Sequence, residues 1–347
     1  MTWASDWSLT VNLLVFGLST LVILIVGIRM ARAADQLADL SGLGEAVFGA
    51  ALLGGSTSLP GIVTSVIAAA SDHPEMAISN AIGGIAVQTA FLAVADIAYR
   101  RANLEHTAAS VENLVNGALL CGLLALVLVA ANGPNWSLFA IHPVSVIILI
   151  GYAFGLKLAS RAHEDPAWTP KQTGDTESDT AESINLQLDV RKIWVQFGAY
   201  AVAIGAAGLL LGISGIGLVR STGLSESIVG GLFTAISSSL PELVTAIAAV
   251  RQGSPTLAVG GIIGGNTFDV LFVAFSDVAY REGSIYHAMG QESVFLIALT
   301  IVMTSILLLG LLRRERRGPG NIGFEGILVL TLYAGGFLTI GLGLIAT

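Results

Sequence analysis

Apolar residues run through the chain in about ten segments of roughly 20 residues each, separated by shorter polar stretches. A helix needs that length to cross the hydrocarbon core of a membrane. The pattern therefore predicts an all-α membrane protein with about ten transmembrane helices. The expected spans are residues 9–29, 44–70, 75–99, 110–131, 139–159, 192–213, 225–250, 256–280, 291–312 and 324–345.

The longest polar stretch, residues 160–190, is rich in Asp, Glu, Ser and Thr and has no apolar period. Such a composition is typical of a solvated linker. We therefore divide the chain into a first five-helix repeat at residues 1–159, an acidic linker at 160–190 and a second five-helix repeat at 191–347. The N-terminus carries no basic residues before its first apolar run, so no cleavable signal peptide is expected.

Lysine and arginine predict the orientation of these helices. If the N-terminus lies outside and ten spans alternate, 14 of the 16 basic residues fall on the inner side. Only Arg220 and Arg281 remain outside. Because basic loops stay in the cytoplasm, we expect the linker and the Arg313–Arg317 loop to be cytoplasmic and both termini to be external.

Composition supports a membrane protein and argues against a soluble protein, a disulfide-linked protein and an ATP-driven transporter. Hydrophobic residues make up 54% of the chain, charged residues 12%, and the mean hydropathy is +0.79. Soluble proteins usually contain about 25% charged residues. The lone Cys121 cannot form an internal disulfide, and no phosphate-binding loop for ATP is present.

The chain repeats itself with an offset of 181 residues. Residues 41–100 align with 222–281 without a gap, and 22 of the 60 positions are identical. Ser-Leu-Pro at 58–60 recurs at 239–241, and Asp-x-Ala-Tyr-Arg at 96–100 recurs at 277–281. An odd number of spans in each half inverts the second half in the membrane. Inverted repeats of this kind are typical of secondary transporters.

Each repeat carries a proline in an apolar span, beside a group of hydroxyl residues. Pro60 follows Thr57 and Ser58, and Pro241 follows Ser238 and Ser239. A proline inside a helix removes one backbone hydrogen bond, so we expect helix breaks at Pro60 and Pro241 that free carbonyl oxygens. Broken backbone at membrane depth survives only where it is buried or lines a cavity.

Two carboxylates, Glu242 and Asp269, lie deep in the predicted spans, and no Lys or Arg is predicted near mid-depth. A buried carboxylate without a partner takes a proton or binds a cation. We therefore predict a transported cation there, with Glu242 and Asp269 as the metal ligands. The hydroxyls of Thr57, Ser58, Ser238 and Ser239 and the amide oxygen of Gln88, the repeat partner of Asp269, complete the expected oxygen site.

The second repeat reads Ser238-Ser239-Leu240-Pro241-Glu242 and later Gly264-Gly265-Asn266-Thr267-Phe268-Asp269. These segments resemble the α-repeats of the calcium/cation antiporter superfamily, which includes sodium/calcium exchangers. The resemblance implies a ten-helix fold, alternating access and cation exchange, and it adds Asn266 to the cation-binding residues.

The sequence departs from the family pattern at three glycines. Gly61 stands where the family has a second glutamate, and Gly84 and Gly265 stand where it has a sodium-binding serine. The central charge is then −2, which one calcium, two sodium ions or two protons would neutralise. We expect Gly61 to leave space for a water or for the Glu242 carboxylate.

We therefore expect a secondary-active cation antiporter that extrudes calcium in exchange for sodium or protons. The alternative is a sodium/proton antiporter of the same fold without calcium transport. The expected partners are the lipid bilayer of a prokaryotic cell membrane and inorganic cations, with no cofactor, nucleic acid or obligatory protein partner. An ion channel or an intramembrane protease could use the same two carboxylates, but inverted repeats and surrounding hydroxyls favour antiport over either.

Three further features receive structural interpretations. We expect ion pairs at helix ends between Asp96 and Arg100 and between Asp277 and Arg281. Glu45 and Glu226 should interact with the helix N-termini near which they lie. The glycine pairs 151/155 and 208/212 should allow close helix packing.

Overall fold

The computed structural model describes residues 7–41, 54–99, 102–164, 168–169, 171, 190–318 and 322–345. Within these ranges the chain forms helices joined by turns, with one isolated bridge between Leu138 and Ile141. Nine helical spans there are long and apolar enough to cross a membrane, and a tenth apolar helix, Leu59–Ala70, is shorter. The prediction of about ten transmembrane helices is confirmed.

The helices run in the following order. They are α1 Leu9–Ser41, α2 Leu59–Ala70, α3 Pro74–Ala98, α4 Leu104–Thr107, α5 Val111–Asn132, α6 Pro143–Glu164, α7 Val190–Thr222, α8 Glu226–Ile228, a π-helix Val229–Thr234, α9 Ala235–Gln252, α10 Pro255–Asp269, α11 Leu271–Ala279, α12 Ile285–Ala288, α13 Gln291–Arg313 and α14 Phe324–Gly341. The short helices α4 and α12 were not predicted, and the predicted span 256–280 is divided at Val270 into α10 and α11.

Helices α1 and α7 are repeat partners and pack against each other along their length. Each has 33 residues, which exceeds the predicted spans 9–29 and 192–213. At 1.5 Å per residue such a helix is about 50 Å long. It is therefore longer than a bilayer core is thick, so tilting or projection beyond the core must accommodate it.

Helix α3 forms the centre of the molecule. It packs against α2, the π-helix, α9, α10, α13 and α14, and Ile78, Ile82 and Ile85 on it are fully buried. Its repeat partner is the divided span α10–α11. These two central elements carry Gln88 and Asp269 at equivalent positions, so packing of the core brings both side chains into the interior.

The glycine pairs permit close packing, as predicted. A Cβ on Gly208 would lie 2.8 Å from the carbonyl oxygen of Pro60, and one on Gly212 would lie 3.3 Å from that of Thr64. Helix α7 therefore lies directly against the backbone of α2. The equivalent contact in the other repeat places Gly27 of α1 against the ring of Pro241.

The repeated aspartates Asp96 and Asp277 bind backbone amides. The Leu104 amide donates to Asp96 Oδ1 at 2.6 Å, and the Gly323 amide donates to Asp96 Oδ2 at 3.0 Å. We call this arrangement the Asp96 clamp. It fastens α4 and the start of α14 to the end of α3.

An equivalent Asp277 clamp exists in the second repeat, with every partner offset by 181 residues. Asp277 accepts the Ile285 amide at 3.1 Å and the His142 amide at 2.7 Å. The predicted ion pair between Asp277 and Arg281 is therefore wrong, because the carboxylate is buried among backbone donors while Arg281 is exposed. Arg100, the predicted partner of Asp96, lies outside the described residues.

Glu226 also differs from its predicted role. Its carboxylate accepts the Met76 amide at 3.0 Å and pairs with His73, so it binds the N-terminus of α3 and not that of its own helix. Glu45 lies outside the described residues, as does most of the 160–190 linker.

Candidate functional site

The first repeat contributes an interrupted helix to the interior. Residues 54–57 are helical, Ser58 forms a turn, and α2 starts at Leu59. Pro60 therefore lies in the first turn of α2, where its missing N–H leaves no helical hydrogen bond unmade. Ser58 is buried at this turn, with 4% of its surface exposed.

The second repeat is irregular at a different place from the one predicted. Helix α9 continues from Ala235 through Pro241 to Gln252 without an interruption. The irregular turn is the π-helix Val229–Thr234, which precedes the proline. The helix break expected at Pro241 is therefore displaced upstream. A π-turn widens the backbone and is frequent at functional sites.

Asp269 is 1% exposed and accepts two side-chain hydrogen bonds. The Ser58 hydroxyl donates to Oδ1 at 2.5 Å, and the Gln88 amide nitrogen donates to Oδ2 at 2.7 Å. The same Gln88 nitrogen also donates to the Ser239 hydroxyl at 3.2 Å. Residues of both repeats therefore converge on one carboxylate.

Glu242 is the second buried carboxylate, with 9% of its surface exposed. Thr57 and Asp269 lie close to it, and the Asp269 carboxylate repels its charge. Its Oε2 atom is buried and has no hydrogen-bond partner among the described residues. An unpaired buried oxygen of this kind is expensive unless a cation or a proton satisfies it.

A small cavity lies between these groups. Its lining residues are Ser58, Gly61, Asn80, Gly84, Gln88, Ser238, Ser239, Glu242, Asp269 and Phe272. Its volume is about 10 Å³ for the centre of a water-sized sphere, which is close to the space of one bound water. Lys and Arg are absent from the lining that the described residues form, and the Oε1 atom of Gln88 is buried there without a partner among them.

The space beside Gly61 is occupied by an aromatic ring. A Cβ on Gly61 would lie 2.7 Å from Cε2 of Phe272. Phe272 of the opposite repeat therefore fills the place where a Gly61 side chain would project. The small cavity also borders Gly61 and Glu242, so the expectation that a water or the Glu242 carboxylate lies beside Gly61 stays a prediction. The Gly61 carbonyl accepts a hydrogen bond from Asn80 at 3.2 Å.

The other two glycines that replace family ligands have room for a small side chain. A Cβ on Gly84 would lie 3.7 Å from the Ser239 hydroxyl, and one on Gly265 would lie 3.7 Å from Gln88 Oε1. These are ordinary contact distances. The cavity therefore has glycine where a hydroxyl ligand would fit.

The predicted site residues do not all line the cavity. Asn266 does not, because its amide nitrogen donates to the Thr89 hydroxyl at 3.0 Å. Thr57 is not among the lining residues either, and its hydroxyl donates to the Gly54 carbonyl oxygen at 3.2 Å.

Sequence reasoning missed Asn80, whose amide nitrogen binds Ser65 at 2.8 Å and whose oxygen accepts from Thr234 at 2.6 Å. Its amide thereby joins the cavity wall to both repeats. The α-repeats that this sequence resembles carry a Gly-Asn pair, and Asn80 stands at its asparagine position, which is the sequence feature that could have identified it.

Comparison with known proteins places this geometry in a family. The sequence profile described as "Sodium/calcium exchanger protein" matches residues 11–158 and residues 192–341, once in each half. The inner membrane protein YrbG of Escherichia coli (strain K12) is 25% identical over 347 residues, covering 92% of this chain and 95% of the relative.

Two solved structures share the fold. The H+/Ca2+ exchanger CAX matches with a TM-score of 0.71 at 15% identity, covering 95% of this chain and 85% of that chain. The sodium-calcium exchanger NCX_Mj matches with a TM-score of 0.62 at 18% identity, covering 95% of this chain and 99% of that chain. The family consists of transporters, which excludes the intramembrane protease alternative. With two profile matches that span both repeats, the chain belongs to the sodium/calcium exchanger family of multi-pass membrane cation exchangers.

Proposed function

We propose that this protein is a secondary-active antiporter that extrudes one calcium ion in exchange for two monovalent cations, either protons or sodium ions. The observation that carries the proposal is the pairing of Glu242 and Asp269 in one buried cavity that lacks Lys and Arg. The described part of the chain supplies two negative charges and no positive one there. A mobile cation must supply the balance.

The electrostatic cost of an unfilled site supports coupled exchange over simple leakage. Two like charges about 4 Å apart repel by about 4 kcal/mol at an effective dielectric constant of 20. Neutralisation by cations removes this repulsion and the desolvation cost of each carboxylate. States that hold +2 are therefore the ones that can move between the two sides of the membrane, and this favours exchange.

The donor atoms suit a hard cation. Calcium takes six to eight oxygen ligands at flexible geometry. The two carboxylates, the unpartnered Gln88 Oε1 and the hydroxyls of Ser238 and Ser239 provide such a set. The relatives support the same chemistry, because the two matched structures are described as an H+/Ca2+ exchanger and a sodium-calcium exchanger.

The glycines support a low stoichiometry. Phe272 occupies the place beside Gly61, so no third carboxylate enters the cavity, and Gly84 and Gly265 contribute no hydroxyl. A third monovalent ion would leave a net positive charge in a poorly solvated site. We therefore propose that exchange is electroneutral.

Flux measurements with purified protein in liposomes test the proposal. Radioactive calcium inside the vesicles should exchange against an imposed sodium or proton gradient and not against a choline control. Asp269→Asn should abolish the flux. Calcium movement that needs no counter-cation would indicate a channel and would overturn the antiport proposal.

A sodium/proton antiporter without calcium transport is the second candidate. The small cavity volume of about 10 Å³ and the single glutamate favour it, because two monovalent ions or protons need fewer ligands than calcium. Sodium-driven proton movement that persists in calcium-free buffer, without any calcium flux, would select this candidate.

The charge distribution supports an orientation with both termini outside and the Arg313–Arg317 loop in the cytoplasm. We also propose that the host membrane is that of a prokaryotic cell, because YrbG is an inner membrane protein of Escherichia coli. The repeats and linker, with boundaries at 159 and 191, form part of the same proposal.

A further inference from the structure

A pair of buried acids lies beside the Asp96 clamp, away from the central cavity. Glu105 is on the short helix α4 and Glu325 is in the first turn of α14. Each is 1% exposed. Glu325 is packed so closely that a Cβ on Gly310 would lie 2.5 Å from its Cγ.

Asp96 accepts the backbone amides of Leu104 and Gly323, so the neighbouring Glu105 and Glu325 both lie at the end of α3. All four of their carboxyl oxygens are buried, and no donor among the described residues reaches any of them. A buried carboxylate without a donor or a cation is costly, whereas a carboxylic acid carries no charge and can donate to a neighbouring carboxylate. We therefore expect the pair to hold at least one proton.

The surroundings increase the cost of losing that proton. Burial, followed by the charges of Asp96 and Glu325, raises the pKa of Glu105 well above its usual value. Both oxygens of Asp96 accept the backbone amides of the clamp, and these hydrogen bonds favour its charged form close to the pair. The acids therefore face a third carboxylate.

The neighbouring cations are engaged elsewhere. Arg314 donates to the His106 carbonyl at 3.0 Å, and His106 Nδ1 contacts the Arg314 carbonyl at 2.8 Å. Arg313 pairs with Glu315 at 3.7 Å. The titratable and charged groups on the elements around the pair are Asp96 on α3, His106 on α4, and Arg313 and Arg314 at the end of α13. Arg316 and Arg317 follow α13, and the Arg316 carbonyl oxygen accepts the Asn103 amide at 3.0 Å. Arg100 and Arg101 lie outside the described residues.

The other end of the molecule provides a comparison within the same chain. At the Asp277 clamp, the residue equivalent to Glu105 is Tyr286, and the residue equivalent to Glu325 is Val144. The Tyr286 hydroxyl is satisfied by Ser145 Oγ at 2.9 Å. The two clamps share a backbone arrangement, but only the Asp96 clamp contains an acid pair.

We propose that Glu105 and Glu325 form a second proton-binding site, separate from the transport site, and that its proton holds the Asp96 clamp closed. Under the proposed orientation this site lies at the cytoplasmic end. This site does not depend on which cations the central cavity exchanges.

The direction of the pH effect follows from the raised pKa of Glu105. A carboxyl that holds its proton more tightly in the closed clamp than in the open one favours closure at low pH. As pH rises above the ordinary glutamate value of 4.5, the open form gains relative stability, and it continues to gain until the raised pKa is passed. Deprotonation then places a further negative charge beside Asp96, and α4 and α14 separate from α3.

Amide hydrogen exchange on the full-length protein in liposomes tests the proposal without any transport assay. The amides to follow are Leu104 and Gly323 in the Asp96 clamp, with Ile285 and His142 in the Asp277 clamp as internal references. The ratio of the two rates removes the intrinsic pH dependence of exchange. Between about pH 5 and about pH 9 this ratio should rise by about tenfold for each unit by which closure raises the pKa.

Two isosteric variants and one control complete the design. Glu105→Gln and Glu325→Gln should each flatten the pH dependence of the ratio. Either variant is sufficient for the test if the other fails to fold. Tyr286→Phe at the opposite clamp should leave the pH-dependent rise of the Asp96-clamp rates in place. A ratio that stays constant in the wild type, or that rises equally in both Gln variants, overturns the proposal. Calcium that restores protection at high pH would also overturn it, because the acids would then bind a metal ion.

Discussion

The ring of Phe272 fills the space beside Gly61, and this contact predicts the effect of one added methyl group. A Cβ there would lie 2.7 Å from Cε2 and 3.4 Å from Cζ of the ring, so the ring must move. Overpacking of this kind costs about 1–3 kcal/mol. We therefore expect Gly61→Ala to lower the ratio of folded to unfolded protein by about 5- to 150-fold.

Thermal unfolding in detergent, arranged as a double-mutant cycle, measures this effect. Phe272→Leu removes the ε carbons, so Gly61→Ala should cost much less in that background. Gly264→Ala is the matched control, because a Cβ there has nothing within 4 Å and alanine is the better helix former. If Gly61→Ala is as stable as the wild type, or if Phe272→Leu does not reduce its cost, the ring does not fill this space. The space beside Gly61 would then be open to a water or an ion.

The remaining predictions concern the transport site and the topology. Glu242→Gln and Asp269→Asn should each abolish cation exchange in liposomes while leaving a folded protein, because each removes half of the central charge. Gln88→Ala should reduce exchange by less, since it removes a neutral ligand, and a larger loss than that of Glu242→Gln would refute the site assignment. A cysteine at Asp175 in a Cys121→Ser background should resist membrane-impermeant reagents in intact cells, and external labelling would contradict the cytoplasmic linker.

Much of the architecture was predictable because bilayer thickness restricts the length of an apolar helix. The apolar runs of roughly 20 residues correspond to helices, and the repeat offset of 181 residues relates equivalent contacts in the two halves. The proximity of Glu242 and Asp269 was predictable for a different reason. Two uncompensated carboxylates in apolar segments have few stable places other than a shared site.

Other features depend on contacts between residues far apart in the chain. The fit of Phe272 against Gly61 joins two repeats, and neither residue shows it in its local sequence. Pro241 and Pro60 lie in the same Ser-Leu-Pro motif, but α9 continues through Pro241. The irregular turn in the second repeat is the π-helix upstream of it. Residues beyond Arg29 continue α1, because helices can project past the apolar region that the hydropathy pattern detects.

The Asp96 and Asp277 clamps could not be predicted from the sequence for a further reason. The spacing suggests that Asp96 and Asp277 pair with the arginines four residues later. In the structure, Asp277 instead accepts hydrogen bonds from backbone amides of distant segments. Backbone donors leave no residue-type pattern in a sequence. Glu105 lies between predicted spans, where an acid is ordinarily solvated, so its burial against Glu325 could be found only in three dimensions.

The most direct test of the central claim is the voltage dependence of calcium exchange by the wild-type protein in liposomes. Potassium gradients with valinomycin can set the membrane potential while the sodium or proton gradient is held constant. One calcium exchanged for two monovalent cations moves no net charge, so the initial flux should be unchanged between 0 and about −100 mV. Transfer of one net charge would contribute about 2.3 kcal/mol per 100 mV. A calcium flux that changes steeply with voltage would contradict the two-charge site formed by Glu242 and Asp269.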